Sequence, residues 1–310
     1  MANDAKMAQM EKLVKMLAGM DESILGEVGI RREGTQIIVP EGMAIDEAIL
    51  WLQRKKAAEE KVINIRWDIA CAPLDGVLAL GRALREVYGF TNLRGNPSFF
   101  GERPPQVIRV CIGNDKGTLL YEDAILGRMQ PPTWEGGHLQ AQITGEPKLV
   151  VTGEVKAKFA SAVDTIQKKT LEHLVKQSIY KGKAIMLDLS YLDGVTAYDP
   201  MNHAPQFMDL DGVKDEHLIL NKTTEMELNS GPFTIIEATE ACKANNVPLK
   251  HGCLLHGPYG SGKSMTAKVT AAKAVRNGWT FIYLKQTKHL AAALKLAELH
   301  APAVLFAEDK

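Results

Sequence analysis

The chain has little of what marks a secreted, membrane-spanning or nucleic-acid-coating protein. Four cysteines occur in 310 residues: Cys71, Cys111, Cys242 and Cys253, with no C-x-x-C pair. That scatter excludes a disulfide framework and implies reduced, mostly buried thiols in a cytoplasmic protein. Charge of one sign is not in excess, with 37 basic and 37 acidic residues, so nothing indicates bulk attraction to nucleic acid or to an anionic membrane. Aromatics make up 6% and are not interleaved with the basic residues, as a nucleic-acid platform requires. No stretch reaches the ~18 apolar residues of a membrane span. Charges interrupt the opening "MANDAKMAQMEKLVKMLAGM" before an apolar run forms, so it does not read as a signal peptide.

What is present suits a globular protein with a real core: 45% hydrophobic and 24% charged residues, in a length that suggests about two domains. Residues 5–19 carry Met7, Met10, Leu13, Val14 and Leu17 on one helical face. This N-terminal helical segment, 1–29, suits docking, oligomerisation or packing on its own domain. Residues 35–43 read as a strand and turn. Residues 44–61 read as a helix with Ile45, Ile49 and Leu52 as its stripe, 61–69 as a strand, and 74–90 as a second helix. Short strand-like runs at 107–113 and 139–145 lie among dense Gly and Pro. A long helix is expected over 157–182, with Phe159, Val163, Ile166, Leu171 and Leu174 near one side, then a buried strand at 183–189. Together 30–190 read as an α+β domain. Residues 191–216, rich in Asp, Gly and Pro, read as a linker.

The informative stretch is "GCLLHGPYGSGKS". Leu254 and Leu255 read as the end of a short apolar strand. Gly257, Gly260 and Gly262 let the backbone curl so that N–H groups converge. Lys263 and Ser264 open a helix with Met265, Val269 and Ala272 along one side. This is the phosphate-loop pattern G-x-x-x-x-G-K-[ST] between a strand and a helix. The amides of Gly257, Pro258, Tyr259, Gly260, Ser261, Gly262, Lys263, Ser264 and Met265, apart from the proline, and the helix N-terminus are expected to hold phosphates. Lys263 is expected to reach the β- and γ-phosphates and Ser264 to ligate Mg²⁺. Near the end, "APAVLFAEDK" is an apolar strand, 303–307, that delivers Glu308 and Asp309. Carboxylates beside such a loop suit Mg²⁺ binding and water activation.

These residues carry a resemblance. "PLKHGCLLHGPYGSGKS" resembles the signature of the AAA clade of AAA+ ATPases at Pro248, Gly252, Leu254, Leu255, Gly257, Pro258, Gly260, Gly262 and Lys263, and "APAVLFAED" resembles that clade's second motif. The likeness covers about 205–310. It implies an α/β fold with a P-loop parallel sheet at the C-terminus, after an α+β N-terminal domain. The resemblance also implies ATP and Mg²⁺ as cofactors, Glu308 as a metal ligand with Ser264, and Asp309 as the base for the attacking water. It further implies a homo-oligomeric ring, and coupling of ATP hydrolysis to the remodelling of a protein partner recognised through the N-terminal domain.

The sequence departs from the family pattern in three places. Tyr259 stands where a second proline is usual. Glu308 precedes Asp309, where the family has Asp then Glu. No aromatic lies between Tyr283 and Phe306, where the family has a peptide-gripping loop. The family's sensor, arginine finger and helical lid would follow the second motif, so 217–310 is expected to be a partial AAA+ domain, C-terminally incomplete and inactive in isolation. The resemblance then implies a sheet with a gap beside 253–256. Two alternatives stay open: another P-loop enzyme such as a small-molecule kinase, and a nucleotide-binding module that does not hydrolyse.

Overall fold

In the computed structural model the described residues are 31–33, 36–38, 44–98, 101–104, 106–115, 118–144, 146–194, 197–199, 202–258 and 260–308. The helix expected at 5–19, with Tyr259 and Asp309, lies outside them. The chain divides into two compact units, Met1–Ile63 with Val155–Ala160, and Asn64–Glu154 with Ser161–Lys310.

In the first unit, β1 (Arg31–Glu33) and β2 (Gln36–Ile38) form an antiparallel hairpin, and α1 (Ile45–Glu60) follows. Glu47 caps α1 by accepting the Ala44 amide at 3.3 Å, which satisfies one of the helix's orphan donors. Ile49 and Leu52 are buried, as the stripe predicts. At the other end Glu60 pairs with Lys156 and, at 2.9 Å, with Lys158. Those two lysines hold its carboxyl down at about 2.

The second unit holds two sheets of four strands or more. Its N-terminal part comprises β3 (Val62–Ala70), α2 (Pro73–Tyr88), β4 (Asn92–Arg94), β5 (Asn96–Ser98), β6 (Gly101–Arg103), β7 (Gln106–Asp115), β8 (Thr118–Leu126), β9 (Arg128–Gln130), β10 (His138–Ile143), β11 (Lys148–Lys156) and α3 (Ala160–Gln177), of which Val62, Ile63, Val155, Lys156 and Ala160 belong to the first unit. Five of the strands form a sheet in the order β3-β11-β10-β9-β4, while β5-β6 and β7-β8 pair as separate hairpins. Pro73 opens α2 with its φ already set. Gly76 lets that helix press on β11, because a Cβ there would lie 2.7 Å from the Leu149 Cβ. On α3, Val163, Ile166 and Leu174 are buried as expected. Leu171 is 45% exposed, a correction to the expected stripe. The helical period runs 163, 166, 170, 174, so Thr170 takes the buried place, its hydroxyl donating to the Ile166 carbonyl at 2.7 Å.

The C-terminal part comprises β12 (Ala184–Leu187), β13 (Gln206–Phe207), α4 (Lys222–Leu228), α5 (Thr234–Glu237), α6 (Thr239–Ala244), α7 (Lys263–Arg276), β14 (Thr280–Leu284), α8 (Leu290–Leu299) and β15 (Ala303–Ala307). The second sheet runs β13-β12-β14-β15. Strands β12, β14 and β15 are parallel, with Ile185 opposite Ile282 and Ile282 opposite Leu305, and β13 is antiparallel to β12. The fold is therefore mixed α/β, and this sheet is mixed. Thr280 ties its strands together: its hydroxyl donates to the His300 carbonyl and accepts the Gly182 amide, each at 2.9 Å.

One expected strand is not formed. Residues 251–258 are irregular and Leu254 is 92% exposed. A strand must pair its backbone groups, and 253–256 has no neighbour to pair with among the described residues. β15 accordingly pairs only with β14 there.

Asp75, in the first turn of α2, is 1% exposed. It accepts the Ser178 hydroxyl at 2.6 Å and the Ile179 amide at 3.2 Å. Burial pushes its carboxyl up to about 6, against these two hydrogen bonds. A raised folded-state pKa stabilises below the unfolded value of 3.8, and that stabilisation is lost as pH rises through about 6. Asp75→Asn is therefore expected to gain on the native chain as pH goes from 4 to 7, by on the order of 2 kcal/mol. Urea midpoints across that range check it, and a difference independent of pH would refute the assignment.

Candidate functional site

Helix α7 meets the second sheet through small residues. Ala267, Ala271 and Ala274 pack against Ala184 and Phe281 of the sheet, with Ile235, Ile236 and Trp279 completing the cluster. The buried face is Thr266, Ala267, Val269, Thr270, Ala271, Lys273 and Ala274. Met265 is exposed and Ala272 half-buried, which corrects the stripe expected from the sequence. Only Val269 of that stripe is buried.

The polar member of this face is fixed by charge. Lys273 pairs with Asp215 at 2.8 Å and with Glu237, and its ammonium stands 5.0 Å from the Phe233 ring centroid. Burial opposes the charge, but the two carboxylates hold the lysine pKa above its usual value. Asp215 also takes Arg276 at 2.6 Å. The stretch around α5 is thus bound to the same helix that begins at the glycine loop.

The loop turns on two left-handed glycines. Gly260 has φ of 80° and Gly262, the residue before α7, has φ of 92°. Gly257 has no room for a side chain, since a Cβ would lie 2.7 Å from the Ser261 hydroxyl. The Ser261 amide donates to the Pro258 carbonyl at 3.3 Å and the Thr266 amide to Gly262 at 2.8 Å. Lys263 curls back over the loop, donating to the carbonyls of Gly257 at 2.6 Å and Pro258 at 2.8 Å and to the Ser261 hydroxyl at 3.4 Å. The first amides of α7, including those of Ser264 and Met265, have no intrahelical acceptor by construction. The helix dipole favours an anion at that end.

The next side chain leads across to the sheet. The Ser264 hydroxyl donates to Glu308 Oε1 at 3.1 Å. Glu308 follows directly on β15, and its Oε2 accepts from the Tyr283 phenol on β14. Tyr283 stacks on Phe306, centroids 5.9 Å apart and planes at 13°. Burial, and then the hydrogen bond to Glu308, push the phenol up to about 12, so at neutral pH it is the donor. The structure therefore brings Ser264 and Glu308 together as expected, and places Lys263 one residue away on the loop.

Tyr283 was not among the residues singled out from the sequence. Alternation along "TFIYL" would have found it: Phe281 faces α7, so Tyr283, two residues on, shares that face at the end of the strand that leads toward the loop.

Beside this chain of hydrogen bonds lies a cleft of about 790 Å³, lined by Ser264, Lys268, Tyr283, Lys285, Lys288 and Glu308, with Met186 and Met208 on the β12 side. It opens where β12, β14 and β15 end, the place where parallel sheets present ligands. Lys285 pairs with Asp188 at 3.2 Å and Lys288 with Asp193 at 2.5 Å. Among the described residues no cluster of three or more His, Cys, Asp or Glu could hold a metal by itself, and no helix is long and apolar enough to cross a membrane. No protein-family model matches the chain, and no curated protein matches it. The functional reading rests on the chemistry of the site.

Gly262→Ala forces a side chain into a left-handed turn at the start of α7. It is expected to lower stability by about 1–2 kcal/mol, seen as an earlier urea midpoint with an unchanged slope. An unaltered midpoint would show that the loop readily takes another path.

Proposed function

We propose that the chain is an ATP-binding protein of the P-loop class, with an AAA+-type ATPase as its activity. The observation that carries this reading is the contact of Ser264, first hydroxyl of the helix after the glycine loop, with Glu308 at the end of a parallel strand. Hard oxygen donors meeting on a cleft rim suit Mg²⁺, which takes one or two protein ligands and draws the rest of its shell from phosphates and water. Ser264 and Glu308 would hold it.

The roles of the chain's own groups follow. The amides of the loop and of the first turn of α7 receive the phosphate oxygens. Lys263 leaves its carbonyl partners and turns to the β- and γ-phosphates, where an anion is the stronger acceptor. Mg²⁺, when bound, neutralises charge that develops on the phosphates. Asp309 is assigned as the base that orients the attacking water. Coupling of hydrolysis to remodelling of a protein partner, recognised through residues 30–190 in a homo-oligomeric ring, completes the proposal.

The cleft favours one further reading, a small-molecule kinase. Lys268, Lys285 and Lys288 line it, the last two paired with Asp188 and Asp193, and an anionic phosphate acceptor would meet that wall in competition with those carboxylates. Phosphate release from ATP without added acceptor supports the hydrolase. Release only as transfer to an added small molecule supports the kinase.

Lys263→Ala should weaken ATP binding by roughly tenfold to a hundredfold or more, since it removes a charged donor to the phosphates. The sheet β3-β11-β10-β9-β4 should be untouched. Calorimetry and circular dichroism read the two effects, and unchanged ATP affinity would end the P-loop assignment.

A further inference from the structure

Glu308 is held at both oxygens by different partners. Oε1 accepts from Ser264 at 3.1 Å, on the loop side. Oε2 accepts from Tyr283, on the sheet side. Tyr283 is itself fixed, because its ring stacks on Phe306 one strand over, with Tyr283 and Phe306 in register in the β14–β15 ladder. The phenol therefore does more than fill space in the cleft wall. It turns one oxygen of the carboxylate away from the loop and presents the other.

That division bears on which cation the site accepts. Mg²⁺ demands near-octahedral geometry at about 2.0–2.1 Å, keeps several waters, and is satisfied by a single carboxylate oxygen. Ca²⁺ is larger, takes six to eight oxygens at about 2.3–2.6 Å, and gains from a carboxylate that binds through both. A carboxylate whose second oxygen is engaged by a stacked tyrosine offers the first mode and withholds the second.

We infer that Tyr283 is a positioning residue that sets metal selectivity: by engaging Glu308 Oε2 it limits the carboxylate to one-oxygen ligation beside Ser264, and so favours Mg²⁺ over Ca²⁺ in the nucleotide complex. The inference rests on the nucleotide reading above. It assigns to Tyr283 no contact with nucleotide and no role in proton transfer.

The test is calorimetry of the full chain with ATP in Mg²⁺, in Ca²⁺ and in EDTA, the last separating what the metal contributes from what the loop contributes. In Tyr283→Phe the ratio of ATP affinities, Mg²⁺ over Ca²⁺, should fall roughly three- to tenfold, a fraction of the worth of one hydrogen bond to a charged group, because the ratio reads only the difference between the two metals. In a Glu308→Gln background the same change should leave the ratio where Glu308→Gln alone puts it, because the tyrosine acts through that carboxylate. An unchanged ratio in Tyr283→Phe overturns the inference. So does an equal fall in both backgrounds, which would mean the tyrosine acts elsewhere. If Tyr283→Phe disturbs folding, Glu308→Asp breaks the same contact from the carboxylate side, since the shorter side chain cannot span Ser264 and Tyr283. A retained ratio there counts against the inference equally. ATP affinity unchanged in Lys263→Ala, or no ATP binding by the unmutated chain, overturns the nucleotide reading and this inference with it. Binding with an indifferent Tyr283 overturns this inference alone.

Discussion

Three alanines set the depth of the site. Ala267, Ala271 and Ala274 let α7 lie close against Phe281 and Ala184, and only at that depth does Ser264, at the head of the helix, reach a carboxylate at the end of β15. A larger side chain at any of the three would lift the helix, at a cost of about 1–3 kcal/mol for overpacking, and would open the hydrogen bond before it unfolded the protein. Lys273 acts in the same direction. With Asp215 and Glu237 as partners it pins the helix at the far end from the loop.

The elements legible in the sequence were those whose signal is local. The glycine loop announces itself because Gly260 and Gly262 sit where the backbone must be left-handed, and a helix with basic residues in its last turn follows at once. The strands at 62–70, 280–284 and 303–307 are apolar or alternating runs and fall close to where they were expected. What failed depended on partners. "CLL" has the composition of a strand, yet a strand exists only against a neighbour, and 253–256 has none among the described residues. Leu171 looked apolar enough for the core, but helical phase gave the place to Thr170. The stripe on α7 failed for a related reason: a helix against a sheet at close range buries alanines and threonines, and hydrophobicity alone does not mark them.

The site was legible in part. Ser264 and Glu308 were named and are joined, while Asp309 and Tyr259 lie outside the described residues. Tyr283 was missed because its importance is relational: nothing in a tyrosine announces that a carboxylate one strand away will need a second donor. Missed also was the reach of the second sheet back along the chain. β12, from the end of the 30–190 stretch, pairs in parallel with β14, and β13, from the stretch read as a linker, adds to its other side. Met186 and Met208 come to the cleft by that route. Long-range parallel pairing leaves no trace in the strands themselves, since any buried apolar run of four residues can occupy the place.

Lys263 already has acceptors: two carbonyls and a hydroxyl of its own loop. Arrival of a ligand is then an exchange at an ammonium rather than the filling of a gap, and the incoming group must outbid neutral dipoles held in place by the chain. A polyanion does so, because each added negative charge strengthens its bond to the lysine while the carbonyls stay as they are. A nucleoside or a sugar offers little more than the loop itself. On the nucleotide reading proposed above, the self-clasped lysine favours the more highly charged ligand, against acceptors that the backbone of residues 257 and 258 supplies.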